Sequence, residues 1–434
     1  MDDTGVKRNS VEMRRAPDMR CHVRSGLYIL DVMRSLTCIA LAAVSGLAAC
    51  GFSARDTPTD APDATADSLD ANPACISLWS FTPSNFTPCI GEILPSVTLI
   101  SGSFTYTPQT GLLTDGTSTT MLPTPVGSPR VLSVAGLDIG SLATLEILGP
   151  DPLVIAVYGN ARISGVATAS ARGTSPGGGA ASCAGSTGTD AHSALSKSAG
   201  GGGGGGGFGT IGAAGGTGDT SIATKTPGGG EMGARGTPMM VPLFGGCNGG
   251  TGGQEHNTAV ATPGAGGGGG GAIQISVRDA FVLAGTARVE ASGGGGQGAD
   301  GIANGAGTHE GAGGGGGGSG GAIFLEGTTI TIAPTVTLCA NGGGGGGGSH
   351  NTNDGGSGAD GPCSVDDASG GTSDSTGVGG FGATLNTNST IGGNGGGQDA
   401  GGGGGGGGGG RIRVRATSGT RPAGFVASPA PSVD

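Results

Sequence analysis

The chain has 434 residues, of which 104 are glycine, only 12% are charged and 3% aromatic, and its formal net charge is −11. That composition excludes an ordinary globular domain and a coiled coil, and collagen is excluded because no strict Gly-X-Y period accompanies the glycine. The acidic balance opposes binding of nucleic acid or anionic lipid by the folded part.

Near the N-terminus, Met33-Arg34-Ser35 precedes an apolar stretch from Leu36 to Ala49, and Leu47-Ala48-Ala49-Cys50 closes it. About 14 apolar residues are too few for a stable membrane-spanning helix, and small residues ahead of a cysteine suit a cleavage point, so the segment predicts an export signal. Leu-Ala-Ala-Cys looks like a bacterial lipobox. That resemblance implies cleavage before Cys50, acylation of its sulfur, and a lipid anchor in the outer membrane or at the cell surface. Residues 1–49 are therefore read as a cleaved signal region, with Met33 as a natural start and 1–32 as either a long n-region or sequence upstream of the true start. From 50 to 74, Asp56, Asp60, Asp63, Asp67 and Asp70 alternate with Ala, Thr and Pro. Such a stretch cannot bury apolar area and predicts a disordered tether.

Residues 75–130 are read as an N-terminal cap and 131–434 as a glycine-rich solenoid. Within the latter, Val134, Leu137/Ile139 and Leu145/Ile147 form one set of short alternations, and Leu153/Ile155/Val157, Ile163 and Val166 the next. Ile273/Ile275, Phe281/Leu283 and Val289/Ala291 repeat the scheme, as do Ile323/Leu325, Ile330/Ile332 and Val336/Leu338; Arg411–Thr417 opens a last, incomplete set. Period-two alternation makes each piece a strand with one buried face. About 21 residues holding three strands is one turn of a parallel β-helix, and the expectation is an all-β, right-handed parallel β-helix of about five coils.

Glycine runs at 200–207, 266–271, 293–296, 313–318, 342–348 and 401–410 lie within three insertions, at about 173–271, 293–321 and 342–410. All three leave from the same corner of a coil, so stacking sets the glycine-rich arms side by side on one flank. Extended glycine can adopt a polyproline-II-like helix whose N–H and C=O groups point outward, and several such chains can satisfy one another. The expectation is a packed polyglycine-II bundle in place of disordered loops. Six cysteines of the mature chain, Cys75, Cys89, Cys183, Cys247, Cys339 and Cys363, would be oxidised after export. Their order suggests Cys75–Cys89, Cys183–Cys247 and Cys339–Cys363, one of 15 pairings that six cysteines allow.

Chemistry-bearing motifs are sparse. Asp138, Asp151 and Asp279 are scattered, and Arg288 and Glu290 share a strand face without an acidic pair, against the clustered acids that a polysaccharide-cleaving β-helix needs. Gly173-Thr174-Ser175-Pro176-Gly177 has the spacing of a nucleophile elbow, yet polyglycine follows where a helix is required. Gly295-Gly296-Gln297-Gly298-Ala299-Asp300-Gly301-Ile302-Ala303 fits a calcium-binding nonapeptide, and Gly355–Gly361 repeats its first part before Pro362. Calcium in such repeats is caged between tandem turns, whereas these lie 60 residues apart, so solvated loop aspartates and no cofactor are the expectation, with calcium at Asp300 and Asp360 the alternative. His192, His256, His309 and His350 all fall in the glycine-rich arms without regular spacing.

Leu137-Asp138-Ile139-Gly140-Ser141-Leu142-Ala143-Thr144-Leu145-Glu146-Ile147 and Pro152-Leu153-Val154-Ile155-Ala156, with the Gly-Gly-Ala-Ile openings and Gly410-Arg411-Ile412-Arg413-Val414, resemble glycine-rich surface lipoproteins of the myxobacterial type. Such chains are often labelled PE-PGRS-like for their glycine content, although the mycobacterial PE head is absent here. The runs are also similar to polyglycine bundles of a phage tail adhesin and of the glycine-rich domain of anaplastic lymphoma kinase. The resemblance implies a structural or adhesive envelope protein without catalysis, held to the membrane by its lipid and facing envelope polysaccharide or surface proteins. The alternative expectation is a polysaccharide-binding or polysaccharide-processing β-helix.

Overall fold

The inward-facing isoleucines and leucines do form strands. A computed structural model describes residues 78–123, 125–191, 198–219, 225–255, 261–301, 311–375, 377–397, 399–418 and 422–434. The signal region, the tether, Cys50 and Cys75 lie outside them. The first strands are β1 (Val97–Thr107), β2 (Leu112–Thr114), β3 (Thr119–Met121), β4 (Arg130–Val134) and β5 (Leu137–Ile147). Then come β6 (Leu153–Val157), β7 (Ala161–Ile163), β8 (Val166–Thr168), β9 (Ala272–Leu283) and β10 (Arg288–Glu290). The last are β11 (Ala322–Ile332), β12 (Thr337–Cys339), β13 (Arg411–Ala416), β14 (Val426–Ser428) and β15 (Ser432–Val433). Among the described residues there is no helix.

The fold is all-β, and apart from the β1-β2-β3 hairpins the strands pair in parallel in one curled sheet. Three ladders make up the curl. One stacks β4, β6, the first half of β9, the first half of β11, β13 and β15. A second stacks the starts of β1 and β5 on β7 and the second halves of β9 and β11. The third stacks the ends of β1 and β5 on β8, β10, β12 and β14.

The register aligns like with like: Ile155 pairs with Ile275, Ile275 with Leu325, and Leu325 with Val414. These residues form an inward column in the main apolar cluster. Burying each such side chain stabilises the fold by about 1.5–3 kcal/mol.

Two features differ from the expected three short strands per repeat. The first two alternations of a repeat merge into one bent strand, because the corner is too short to interrupt pairing; the shift falls between Gly327 and Thr329, opposite Val277–Ala280. In addition, the ladder begins before Val131. β1 pairs with β5 over Val97–Tyr106, since Leu99 and Tyr106 also point into the core.

Candidate functional site

Glycine-rich segments emerge where the third ladder ends and return where the first begins. Their backbones meet one another with a period of three. The N–H groups of Gly200, Gly203 and Gly206 donate to the carbonyls of Gly311, Gly314 and Gly317 at 2.8–2.9 Å. Gly314, Gly317 and Gly320 donate in turn to Gly402, Gly405 and Gly408 at 2.8–2.9 Å, and these donate back to Gly200, Gly203 and Gly206 at 2.8–3.0 Å. Three parallel runs thus close a triangle. The intervening donors point elsewhere: Gly202 and Gly205 to Gly216 and Ala213, Gly201 and Gly204 to Thr189 and Ser186. A three-residue repeat of donor direction is what an extended glycine helix with three residues per turn presents.

The segment 311–321 sits at the centre. It donates to 247–253, 291–297 and 402–408 and accepts from 200–206, 264–270 and 343–349, six neighbours in all. An added Cβ has no room there: at Gly313 it would overlap the carbonyl of Gly201, at Gly316 that of Gly204, and at Gly404 that of Gly315. Glycine is required because the backbones touch. Disulfides Cys183–Cys247 and Cys339–Cys363, with Cα separations of 4.9 and 5.1 Å, tie the outer segments in. Cys89 is also disulfide-bonded.

Some lattice N–H groups are met by a side-chain oxygen of a neighbouring segment in place of a carbonyl. The hydroxyls of Ser319 and Ser349 accept from Cys247 and Ala312, and the amide oxygen of Asn248 accepts from Gly269. Asp360 belongs to this group: one carboxylate oxygen accepts from the N–H of Gly173 at 2.7 Å and of Gly295 at 2.8 Å. The two nonapeptide-like stretches lie antiparallel, with Gly355, Gly358 and Gly361 donating to Ala299, Gly296 and Gly293. Asp300 and Asp360 therefore stand at opposite ends of the pairing and do not converge on a calcium ion. Among the described residues no three His, Cys, Asp or Glu side chains cluster for a metal. His350 faces Asp374 at 3.8 Å, while His192, His256 and His309 lie outside the described residues.

Of the scattered acids Asp138, Asp151 and Asp279, the last two meet an arginine, as does Glu290. Asp151 pairs with Arg130, which holds its carboxyl below the usual range; Asp279 pairs with Arg278 and Glu290 with Arg288. Ser175 exchanges backbone hydrogen bonds with Arg172 in a tight turn, with no helix behind it.

Sequence reasoning missed the outward face of the first ladder. Residues 78–94 run across it, from the last strands to the first. Arg415 of β13 donates to the carbonyl of Thr82, Ser84 N–H donates to Glu326 of β11 at 2.8 Å, and Asn85 bonds Gln274 of β9 at 2.8 Å. Trp79 meets Tyr158, just after β6, edge to face, and Leu94 bridges to Val134 of β4. Gln274 and Glu326 are consequently wholly buried. Burial pushes the Glu326 carboxyl up, offset in part by Ser276, Ser84 and Arg415. The available signal was Phe324, a large apolar residue at an outward position.

On β13 the outward residues Arg411, Arg413 and Arg415 lie over the rings of Phe208, Phe324 and Phe81. Arg413 also makes a two-pronged pair with Asp434, and Arg415 reaches Glu326 at 3.4 Å. Comparison of the chain with known protein families, curated proteins and solved structures finds no match.

Proposed function

We propose that this chain is a lipid-anchored envelope protein in which a short right-handed β-helix of about five coils carries a polyglycine-II lattice for structural or adhesive contact. The observation that carries the reading is the closed triangle of runs 200–206, 311–320 and 402–408, with six neighbours around its central segment. Such an arrangement converts chain that is otherwise flexible into a rigid body with no titratable group at its centre, which suits a scaffold. The signal-like segment ending at Cys50 supplies the membrane attachment, as in glycine-rich surface lipoproteins that the sequence resembles. The surface so presented would face envelope polysaccharide or surface proteins.

Amide hydrogen exchange tests the scaffold: protection of 313–318 and 401–410 comparable to that of the core strands is expected, and exchange at free-chain rates would sink it. Palmitate labelling tests the anchor separately. Incorporation in the native chain and none in Cys50→Ala is expected; equal labelling removes the anchor from the reading.

A further inference from the structure

Arg411 differs from its two partners on β13. Arg413 holds Asp434 and Arg415 reaches Glu326, but no carboxylate of the described residues lies within ion-pair distance of Arg411. Its Nη2 has only 3.5 Å contacts with the carbonyls of Arg235 and Gly236, and its buried Nε has no partner. Desolvation accordingly lowers its pKa. A partly buried guanidinium without an anion is unusual, because removing the charge from water is normally offset by pairing.

Arg411 lines a cleft of about 380 Å³ where β13 leaves the lattice. Small-ligand sites span roughly 300–1,000 Å³, with apolar walls and a few polar groups that fix orientation. Leu385 and Pro429 supply apolar wall here, and Asn386, Asn388 and Ser432 supply amides and a hydroxyl. Among the described residues none of these three polar side chains has a hydrogen-bond partner, which leaves their donors and acceptors to a ligand. Among the described residues Arg411 is the one charged residue of the lining. The loop that carries the asparagines is held in place: Thr384 and Thr387 donate to Asp367, and Leu385 N–H donates to Ser428. Fixing the loop beforehand lowers the entropy cost of binding.

We propose that this cleft binds an acidic sugar, with the carboxylate of a uronate unit on Arg411 and its ring hydroxyls on Asn386, Asn388 and Ser432. One cation matches one carboxylate, and the neutral amides and hydroxyl match a polyhydroxylated ring better than an apolar acid. The inference deepens the envelope reading by naming what the protein contacts, and rests on it only for the source of the sugar.

Titration calorimetry of the purified full chain with sodium glucuronate, glucose and acetate tests it. Glucuronate is expected to bind at least tenfold more tightly than either of the others. Arg411→Gln should weaken glucuronate at least tenfold, and Asn388→Ala, on an exposed loop, several-fold with an unchanged melting temperature. Acetate binding as tightly as glucuronate would overturn the sugar site, as would native protein that binds none of the three or Arg411→Gln that binds undiminished. A negative result leaves the palmitate and exchange experiments untouched, so failure of the site and failure of the envelope reading are told apart.

Discussion

The β-ladders and the glycine lattice occupy one chain and are held together by opposite means. In the ladders, side chains such as Ile155, Ile275, Leu325 and Val414 stack inward, and backbone pairing sets their register. In the lattice around 311–321 there are almost no side chains, and the backbone pairs in six directions. The contrast shows which substitutions each region tolerates. A ladder position accepts another apolar residue of similar volume, whereas a lattice position accepts nothing larger than hydrogen.

The largest effect should come from the lattice centre. Gly404→Ala, whose methyl group would overlap the Gly315 carbonyl, is expected to lose at least about 3 kcal/mol in urea unfolding, the upper part of the overpacking range. A loss below 1 kcal/mol would break the comparison by showing that the runs can move apart. Leu325→Ala, at a fully buried ladder position, should lose about 2–5 kcal/mol by leaving a cavity. Here Leu325→Met should recover most of the stability, while no larger residue should rescue Gly404.

A smaller effect is expected at the covered outer face. Because burial raises the native carboxyl of Glu326, the native state holds its proton to higher pH than the unfolded chain does. Stability should therefore fall as pH rises from the ordinary value of 4.5 through the raised one. Against Glu326→Gln, the native chain should lose relative stability across that window and run parallel to the variant below it. A difference that does not vary with pH would mean that residues 78–94 do not seal the carboxyl from water. The smallest effect is at Gly397, where an added Cβ meets nothing within 4 Å. Gly397→Ala should change stability by less than about 1 kcal/mol, in the stabilising direction through the unfolded chain. The ratio between Gly397 and Gly404 measures how much of the glycine content is lattice and how much is loop.

Much of the ladder was legible because alternation is local. Ile273/Ile275 and Ile323/Leu325 declare a buried strand face within five residues, and the repeated opening Gly-Ala-Ile sets their equivalence. The merging of the first two alternations into β9 and β11 was less visible, since it depends on how tightly Arg278-Asp279 and Thr328 turn against neighbours. The cleft beside Arg411 was not legible. Its walls come from 209–210, 238, 384–388, 410–412 and 429–432, stretches distant in sequence that meet through the lattice, the pairing of β13 with β15 and the hydrogen bond of Leu385 to Ser428.

By itself, the sequence determined that strands would alternate inward and outward and that glycine-rich insertions would leave from one corner. Only the tertiary structure decided that 311–321 lies at the centre, that Asp360 closes the lattice edge by accepting from Gly173 and Gly295, and that Glu326 is buried beneath residues 78–94. The reason is physical. A side-chain pattern encodes which face of a segment avoids water, but a glycine run carries no side chain to name its neighbour, and its partners are selected by the geometry of everything packed around it.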